Sequence, residues 1–180
     1  TTNAIAVVPL PALVKIGGNI RAANNAALED LSFTNLQFLA GDFEMDSNSL
    51  LTSVNVPVLN TIEGSIDVMN NDEIQAIIFD CLEFLGAGFD MESNSKLVSI
   101  SLPALANLNG NIRVSYNPQF VQMHFGGFNA MALDGSIVVT GNDLLTAVSF
   151  NTLETMTSSA NRIKQLFVIS TVSKHHPNWW

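Results

Sequence analysis

The sequence predicts an all-β protein, a parallel β-solenoid of about six coils with a 23-residue repeat. Three observations point to this fold. An asparagine recurs at a step of 23 positions, apolar residues recur in columns with the same step, and each repeat contains two segments that alternate between apolar and polar residues. A fixed period of about 20–50 residues is typical of solenoids, in which each coil buries its apolar face only by stacking on the next.

The recurring asparagines, which we call the asparagine ladder, are the clearest mark of the repeat. Each lies where the chain leaves a predicted strand, three residues before an apolar column. A turn at that point leaves backbone N–H and C=O groups inside the coil, and an inward amide supplies partners for both. We therefore predict a structural ladder that bonds each coil to the next; an exposed row that contacts a ligand is the alternative. The ladder consists of Asn25, Asn48, Asn71, Asn94, Asn117 and, after a two-residue insertion, Asn142.

Two strands are predicted in each coil. The first crosses the boundary between successive repeats, as in residues 99–102, and a proline such as Pro103 follows it in several repeats. The second follows a glycine, as in residues 64–68. Alternation with a period of two residues predicts a strand that has one face in the core. The glycine, here Gly64, is expected where a turn needs a positive φ or a close backbone approach.

The repeat pattern ends before the chain does. This predicts a β-solenoid repeat domain over residues 1–156 and a C-terminal cap and tail over residues 157–180. Ile163, Leu166 and Phe167 have the spacing of one helical face, so we expect a C-terminal cap that is helical or irregular.

Two features lie outside the repeat pattern. Cys81 is the only cysteine, so no disulfide within the chain is expected, and its place beside a core position favours a buried inert thiol over a reactive or intermolecular one. Residues 175–180 contain two histidines and two tryptophans. The tryptophans are expected to cover exposed core, and a sugar-binding tip is the alternative.

The charge of the chain limits its partners. The net charge is −9, and all 16 acidic residues lie in residues 1–156. An acidic body argues against nucleic acid and anionic membranes, because phosphate binding needs clusters of Lys and Arg. The apolar segments are short and interrupted, so no membrane insertion is expected. Basic proteins, neutral glycans and divalent cations remain compatible with this composition.

Candidate ligand-binding residues lie on the outward side of the second strands, in two adjacent columns. Like charges stacked about 4.8 Å apart repel unless they are solvated or bridged by a cation. We predict either a ligand surface, on which Ca²⁺ is the only cofactor considered, or a hydrated face that prevents aggregation. No metal-ligating set is assigned. These residues, which we call the acidic face, are Arg21, Glu44, Asp67, Asp90 and Arg113 in one column and Asp46, Met69 and Glu92 in the other.

An enzyme is not expected, although parallel β-helices also include polysaccharide-cleaving enzymes. Inverting glycoside hydrolysis uses two carboxyl groups about 6.5–9.5 Å apart. Asp67 and Asp90 are predicted to lie closer than that, and no repeat carries a long loop that would form a deep cleft. No catalytic residue is therefore assigned.

The repeat pattern Leu-Pro-x-Leu-x-x-Ile-x-Gly-x-Ile-x-Val-x-x-Asn-x-x-Leu-x-x-Ile stands nearly intact in residues 56–77 and 102–123. It resembles the receptor L-domain type of leucine-rich repeat and is similar to repeats of fungal and protist cell-surface and wall proteins. The resemblance implies a right-handed solenoid, an extracellular or cell-surface location, and a role in binding or in the wall. We expect a recognition or adhesion module that binds a protein or glycan; a structural protein that self-associates through its coil ends into a filament is the alternative.

Overall fold

The structure, a computed structural model, describes residues 7–126, 135–150 and 163–169. Every strand pairing in these residues is parallel, and most pairings join equivalent positions of successive repeats. Parallel pairing of each strand with its equivalent in the next coil is the defining feature of a β-solenoid. The predicted all-β parallel solenoid is confirmed.

Each of the first five coils contributes three strands, one more than the sequence predicted, because a two-residue strand lies between the two expected ones. The strands of these coils are β1 (Val7–Pro9), β2 (Lys15–Ile16), β3 (Ile20–Ala23), β4 (Asp30–Ser32), β5 (Phe38–Leu39), β6 (Phe43–Asp46), β7 (Ser53–Asn55), β8 (Thr61–Ile62), β9 (Ile66–Met69), β10 (Ala76–Ile78), β11 (Phe84–Leu85), β12 (Phe89–Glu92), β13 (Ser99–Leu102), β14 (Asn107–Leu108) and β15 (Ile112–Ser115). Later coils contribute β16 (Gln122–Phe125), β17 (Gly135–Thr140), β18 (Ala147–Phe150) and β19 (Ile163–Ile169).

Stacking of the coils produces three faces. One face is interrupted between β7 and β10, so it consists of the sheets β1-β4-β7 and β10-β13-β16-β18. The second is the five-stranded sheet β14-β11-β8-β5-β2. The third, which we call the long sheet, has seven strands in the order β19-β17-β15-β12-β9-β6-β3 and carries the acidic face.

The core is a stack of similar layers, because each inward column repeats in every coil. In one such column the exposed fraction falls from 43% at Leu10 in the first coil to 4% at Phe33 and 0% at Leu102. Phenylalanines two coils apart make edge-to-face contacts, with 5.6 Å between the ring centroids of Phe43 and Phe79. Such aromatic pairs add to the stabilisation that burial of their area provides.

The turns after the six long-sheet strands from β3 to β17 each use a residue with a positive φ, immediately before the ladder asparagine. This conformation is unfavourable for residues other than glycine, asparagine and aspartate. This column of turn residues could not be predicted from the sequence, because its members share no residue type. They are Asn24, Ser47, Asn70, Ser93, Tyr116 and Gly141, with φ between 55° and 63°.

The expectation of a helix in the C-terminal cap is wrong for residues 163–169, which form strand β19. This strand pairs in parallel with β17, with Ile137 opposite Leu166 and Val139 opposite Val168. The segment is rich in Ile, Val and Phe, and the free edge of β17 offers backbone donors and acceptors that a strand satisfies and a helix does not. Sheet pairing therefore overrides the helical spacing. The domain boundary at 156 and the tail at residues 175–180 lie outside the described residues.

Cys81 is exposed, so the expectation of a buried thiol is wrong. It lies in the turn between β10 and β11, where the side chain of the next residue, Leu82, points inward and is fully buried. Neighbouring positions of this turn point in different directions, and proximity in sequence to a core position therefore did not predict burial.

Candidate functional site

The long sheet brings the acidic face together in two rows. Its strands pair without a shift from β3 to β15, so outward side chains of equivalent positions stand side by side. The first row runs Arg21, Glu44, Asp67, Asp90, Arg113, and the second places Asp46, Met69 and Glu92 between Ala23 and Ser115.

Ion pairs partly neutralise both ends of the first row. The Arg21 guanidinium lies 3.0 Å from a carboxylate oxygen of Glu44, and that of Arg113 lies 2.9 Å from Oδ2 of Asp90. Exposed pairs of this kind contribute little to stability, about 0–1 kcal/mol, but they reduce the local negative charge. The face is therefore less acidic than its carboxylate count indicates.

The second row keeps its carboxylates outside these ion pairs. Asp46 accepts hydrogen bonds from Oγ of Ser47 at 2.9 Å and from Nδ2 of Asn70 at 3.1 Å. Both donors belong to the positive-φ turns that end the long-sheet strands. Met69 and Glu92 are half-buried. This row thus presents an alternation of charged and apolar surface along the stacking direction.

Asp67 lies at the middle of the first row and is half-buried. Burial raises the pKa of its carboxyl group above the ordinary value, and the neighbouring carboxylates Asp90, Asp42 and Glu44 raise it further. A hydrogen bond from the hydroxyl of Ser65 opposes this shift by lowering the pKa. Desolvation outweighs that bond because partial burial disfavours the charged form of the carboxyl group.

Asp90 is the neighbour of Asp67 in the row, and only one of its oxygens has a polar partner. Oδ2 binds the guanidinium of Arg113. Oδ1 is buried and is the one buried side-chain oxygen or nitrogen in the described part of the chain that has no hydrogen-bond partner. Such an acceptor is unusual in a folded protein, since most buried polar groups are satisfied.

The predicted Ca²⁺ remains a prediction. In residues 7–126, 135–150 and 163–169, no group of three or more His, Cys, Asp or Glu side chains is arranged to hold a metal ion. A calcium ion takes six to eight oxygen ligands.

The asparagine ladder lies inside the coil. Asn48, Asn71, Asn94, Asn117 and Asn142 are buried, and Asn25 in the first coil is half-buried. The oxygen of Asn71 accepts from the backbone N–H of Asn48 at 3.1 Å and from its side-chain amide at 3.2 Å. The amide of Asn71 donates to the carbonyls of Met45 and Met69 at 3.0 and 2.7 Å. Each buried asparagine of the ladder thus satisfies backbone groups of the coil before it, and Asn71, Asn117 and Asn142 also bond a carbonyl of their own coil.

A second set of polar side chains, which the sequence did not lead us to predict, accepts backbone N–H groups of the next coil. Oδ1 of Asn19 accepts the backbone N–H of Asp42, and Oδ1 of Asp42 accepts that of Ser65 at 2.9 Å. Oδ1 of Asn111 accepts the N–H of Ser136 in the same way. The available signal was the polar column just after the repeat glycine. It places Asp42 next to the acidic face.

Comparison with protein-family models, with curated proteins and with solved structures finds no match to this chain. The described residues include no helix that is long and apolar enough to cross a membrane. The geometry defines a class, a parallel β-solenoid with an internal asparagine ladder and a charged outer sheet.

Proposed function

We propose that the protein is a non-enzymatic recognition or adhesion module that works outside the cell or at its surface and binds a protein or glycan through the acidic face. The observation that carries this proposal is the unshifted pairing of β3 to β15, which aligns eight candidate side chains on one open sheet face. A stiff sheet presents them in fixed positions, and this lowers the entropic cost of binding.

The charge of the face favours a partner with basic side chains. Three ion pairs occur among the described residues, and Asp46, Asp67 and Glu92 belong to none of them. Lys or Arg of a partner protein would complement these carboxylates, and glycan hydroxyls would donate to them. We propose no binding of nucleic acid, because the acidic face would repel a phosphate backbone. We also propose no membrane insertion. The resemblance to receptor L domains supports the surface location.

The test uses a double variant of the second row, Asp46→Asn with Glu92→Gln, whose side chains keep their size and lose their charge. Binding is measured on a glycan array, with and without Ca²⁺, and to immobilised peptides rich in Lys and Arg. We expect binding to at least one probe, which the double variant weakens tenfold or more, about 1.4 kcal/mol.

The matched control is Asp80→Asn with Glu83→Gln, which removes two exposed carboxylates elsewhere and should leave binding unchanged. Equal affinity of the wild type and the acidic-face variant would reject the proposed surface. A requirement for Ca²⁺ that the acidic-face variant loses and the control variant keeps would assign the ion to this face.

End-to-end assembly is the second candidate function, and the first coil favours it. Its inward column is open, since Leu10 is 43% exposed where its equivalents Phe33 and Leu102 are buried. A cavity of about 320 Å³ there is lined by core residues that include Ile20, Leu28 and Phe33. Contact with the other end of a second copy would cover this surface.

Sedimentation velocity over a hundredfold range of protein concentration tests this candidate. Assembly predicts larger species at higher concentration, and Leu10→Asp should abolish them because it places a charge in the contact. A monomer at every concentration rejects end-to-end assembly and leaves the binding proposal untouched.

A further inference from the structure

Asp67 and Asp90 are direct neighbours on adjacent strands of the long sheet. They are register partners in the pairing of β9 with β12, and both side chains point to the outer side. Adjacent strands lie about 4.8 Å apart, which places the two carboxyl groups within mutual reach. Two carboxylates at such a distance do not both ionise readily.

Only one of the two oxygens of the Asp90 carboxylate has a polar partner. Arg113 belongs to β15, the strand on the far side of β12 from Asp67, and binds Oδ2. Oδ1 is the buried oxygen that has no donor. The position opposite Arg113 in this row is held by Asp67. A proton on Asp67 would supply the donor that Oδ1 lacks.

The groups packed around Asp67 offer it no positive charge. On β6 its register partner is Glu44, which pairs with Arg21. Asp42, in the turn before β6, accepts the backbone N–H of Ser65. Arg21 and Arg113 lie on β3 and β15, each two strands away from β9. Every titratable neighbour of Asp67 on the adjacent strands and in the turn before β6 is therefore acidic.

We propose that Asp67 and Asp90 hold one proton between them in the folded protein, so that the charge of the acidic face changes by one unit when this proton is released. The proton comes from solvent and resides on Asp67, from which it is donated to Oδ1 of Asp90. On release it returns to water, and both aspartates become carboxylates. Burial and the three acidic neighbours, which raise the pKa of Asp67, act in the same direction as this geometry.

The sign of the effect on stability follows from linkage. The folded state holds the proton of Asp67 more tightly than the unfolded state, because folding raises the pKa of this carboxyl group. Its contribution to the free energy of unfolding is fully present below the unfolded-state pKa and is lost as the pH rises through the folded-state pKa. Deprotonation then leaves two neighbouring carboxylates and an unsatisfied buried oxygen.

The first experiment is an NMR titration of the side-chain carboxyl carbons in the full chain. We expect Asp67 to release its proton above the ordinary aspartate range, because the proton is shared with Asp90. In the Asp90→Asn variant the Asp67 midpoint should move down, because the like charge is gone and the new amide donates to Asp67. Glu44→Gln, on the other neighbouring strand, should leave most of the shift in place.

Titration of Asp67 in the ordinary range, with no change in the Asp90→Asn variant, would overturn the proposal. Equal downward shifts in Asp90→Asn and Glu44→Gln would also overturn it, since the effect would then be general repulsion and not a shared proton.

The second experiment needs only Asp67→Asn, whose amide has nearly the shape of the protonated acid and donates permanently to Asp90. We expect this variant to be more stable than the wild type at about pH 7 and the difference to shrink as the pH falls towards about 4. Urea unfolding at a series of pH values measures this. Asp80→Asn, an exposed control, should show no such gain. A destabilised or unchanged Asp67→Asn at about pH 7 would reject the shared proton, whatever the face binds.

Discussion

Tyr116 holds a backbone conformation that its residue type disfavours. Its φ is 55°, in the column where the other coils have Asn24, Ser47 and Asn70. The left-handed region costs about 1–2 kcal/mol for residues other than glycine, asparagine and aspartate. Tyr116 is 61% exposed, so packing of its ring offsets little of that conformational cost.

Tyr116→Asn should therefore stabilise the protein by about 0.5–1 kcal/mol, measured by urea unfolding. Tyr116→Ala is the control, because it removes the ring and keeps a Cβ in the disfavoured region, and it should bring no gain. A gain of the same size in both variants would show that the ring, and not the backbone conformation, is unfavourable.

Asn71 serves five partners at once. Its amide donates to two carbonyls and to Oδ1 of Asn94, and its oxygen accepts from the two nitrogens of Asn48. Each buried group left without a partner costs about 1–3 kcal/mol. Asn71→Ala should therefore lower the free energy of unfolding by about 3 kcal/mol or more, as measured by thermal or urea unfolding. Asn25→Ala, in the half-buried first coil, should cost clearly less because water replaces the lost amide. Equal losses at both positions would contradict the role of burial.

At the residue scale, the sequence predicted well where one residue type repeats and poorly where only a conformation repeats. The ladder is visible because amide chemistry is needed in every coil, so Asn48 and Asn71 cannot be exchanged for other residues. The turn column varies from Asn70 to Ser93 to Tyr116, because its requirement is a positive φ that several residues meet at some cost. The shared register of Asp67 and Asp90 followed from the period, but the buried oxygen of Asp90 did not, because burial depends on neighbouring side chains.

At the scale of elements, the turn before β9 depends on close stacking of coils. An ideal Cβ on Gly64 would lie 2.6 Å from the carbonyl carbon of Gly41 in the preceding coil. Gly18 stands in the same column of the first coil, and a Cβ there would meet no atom within 4 Å.

Gly64→Ala should therefore destabilise the protein by about 1–3 kcal/mol, and Gly18→Ala should be neutral or slightly stabilising. Thermal unfolding of the two variants measures the difference. Similar losses of stability at both glycines would mean that backbone conformation, and not contact with the preceding coil, selects glycine in this column.

Strand β19 shows where element prediction from periodicity reaches its limit. Ile163, Leu166 and Phe167 fit a helical face, yet the segment also contains the β-branched and aromatic residues that suit a strand. The deciding factor is the edge of β17, which lies far away in sequence and requires a hydrogen-bonding partner. A single short apolar segment carries little information about this long-range pairing. The earlier strands could be predicted because their pattern recurs in six repeats.

At the scale of the whole molecule, the solenoid is a stack in which each coil contacts mainly its neighbours. The number of coils can therefore change without altering the fold, whereas the number of residues per coil cannot. Removal of residues 72–94 deletes one complete repeat, including strands β10 to β12. Asn71 is then joined directly to Ser95 and takes the ladder position that Asn94 held. All columns and the ladder then continue in register.

We expect this deletion to fold into a shorter solenoid with the same circular dichroism spectrum per residue, a cooperative transition and a lower Tm, because one layer of core is lost. Removal of residues 73–94, one residue fewer, leaves an extra residue between ladder positions and moves every later side chain by one place relative to the preceding coil. That variant should lose its cooperative transition or aggregate. If the two deletions behaved alike, the exact repeat length would not be the quantity that specifies the fold, and the stacking that aligns the acidic face would need another cause.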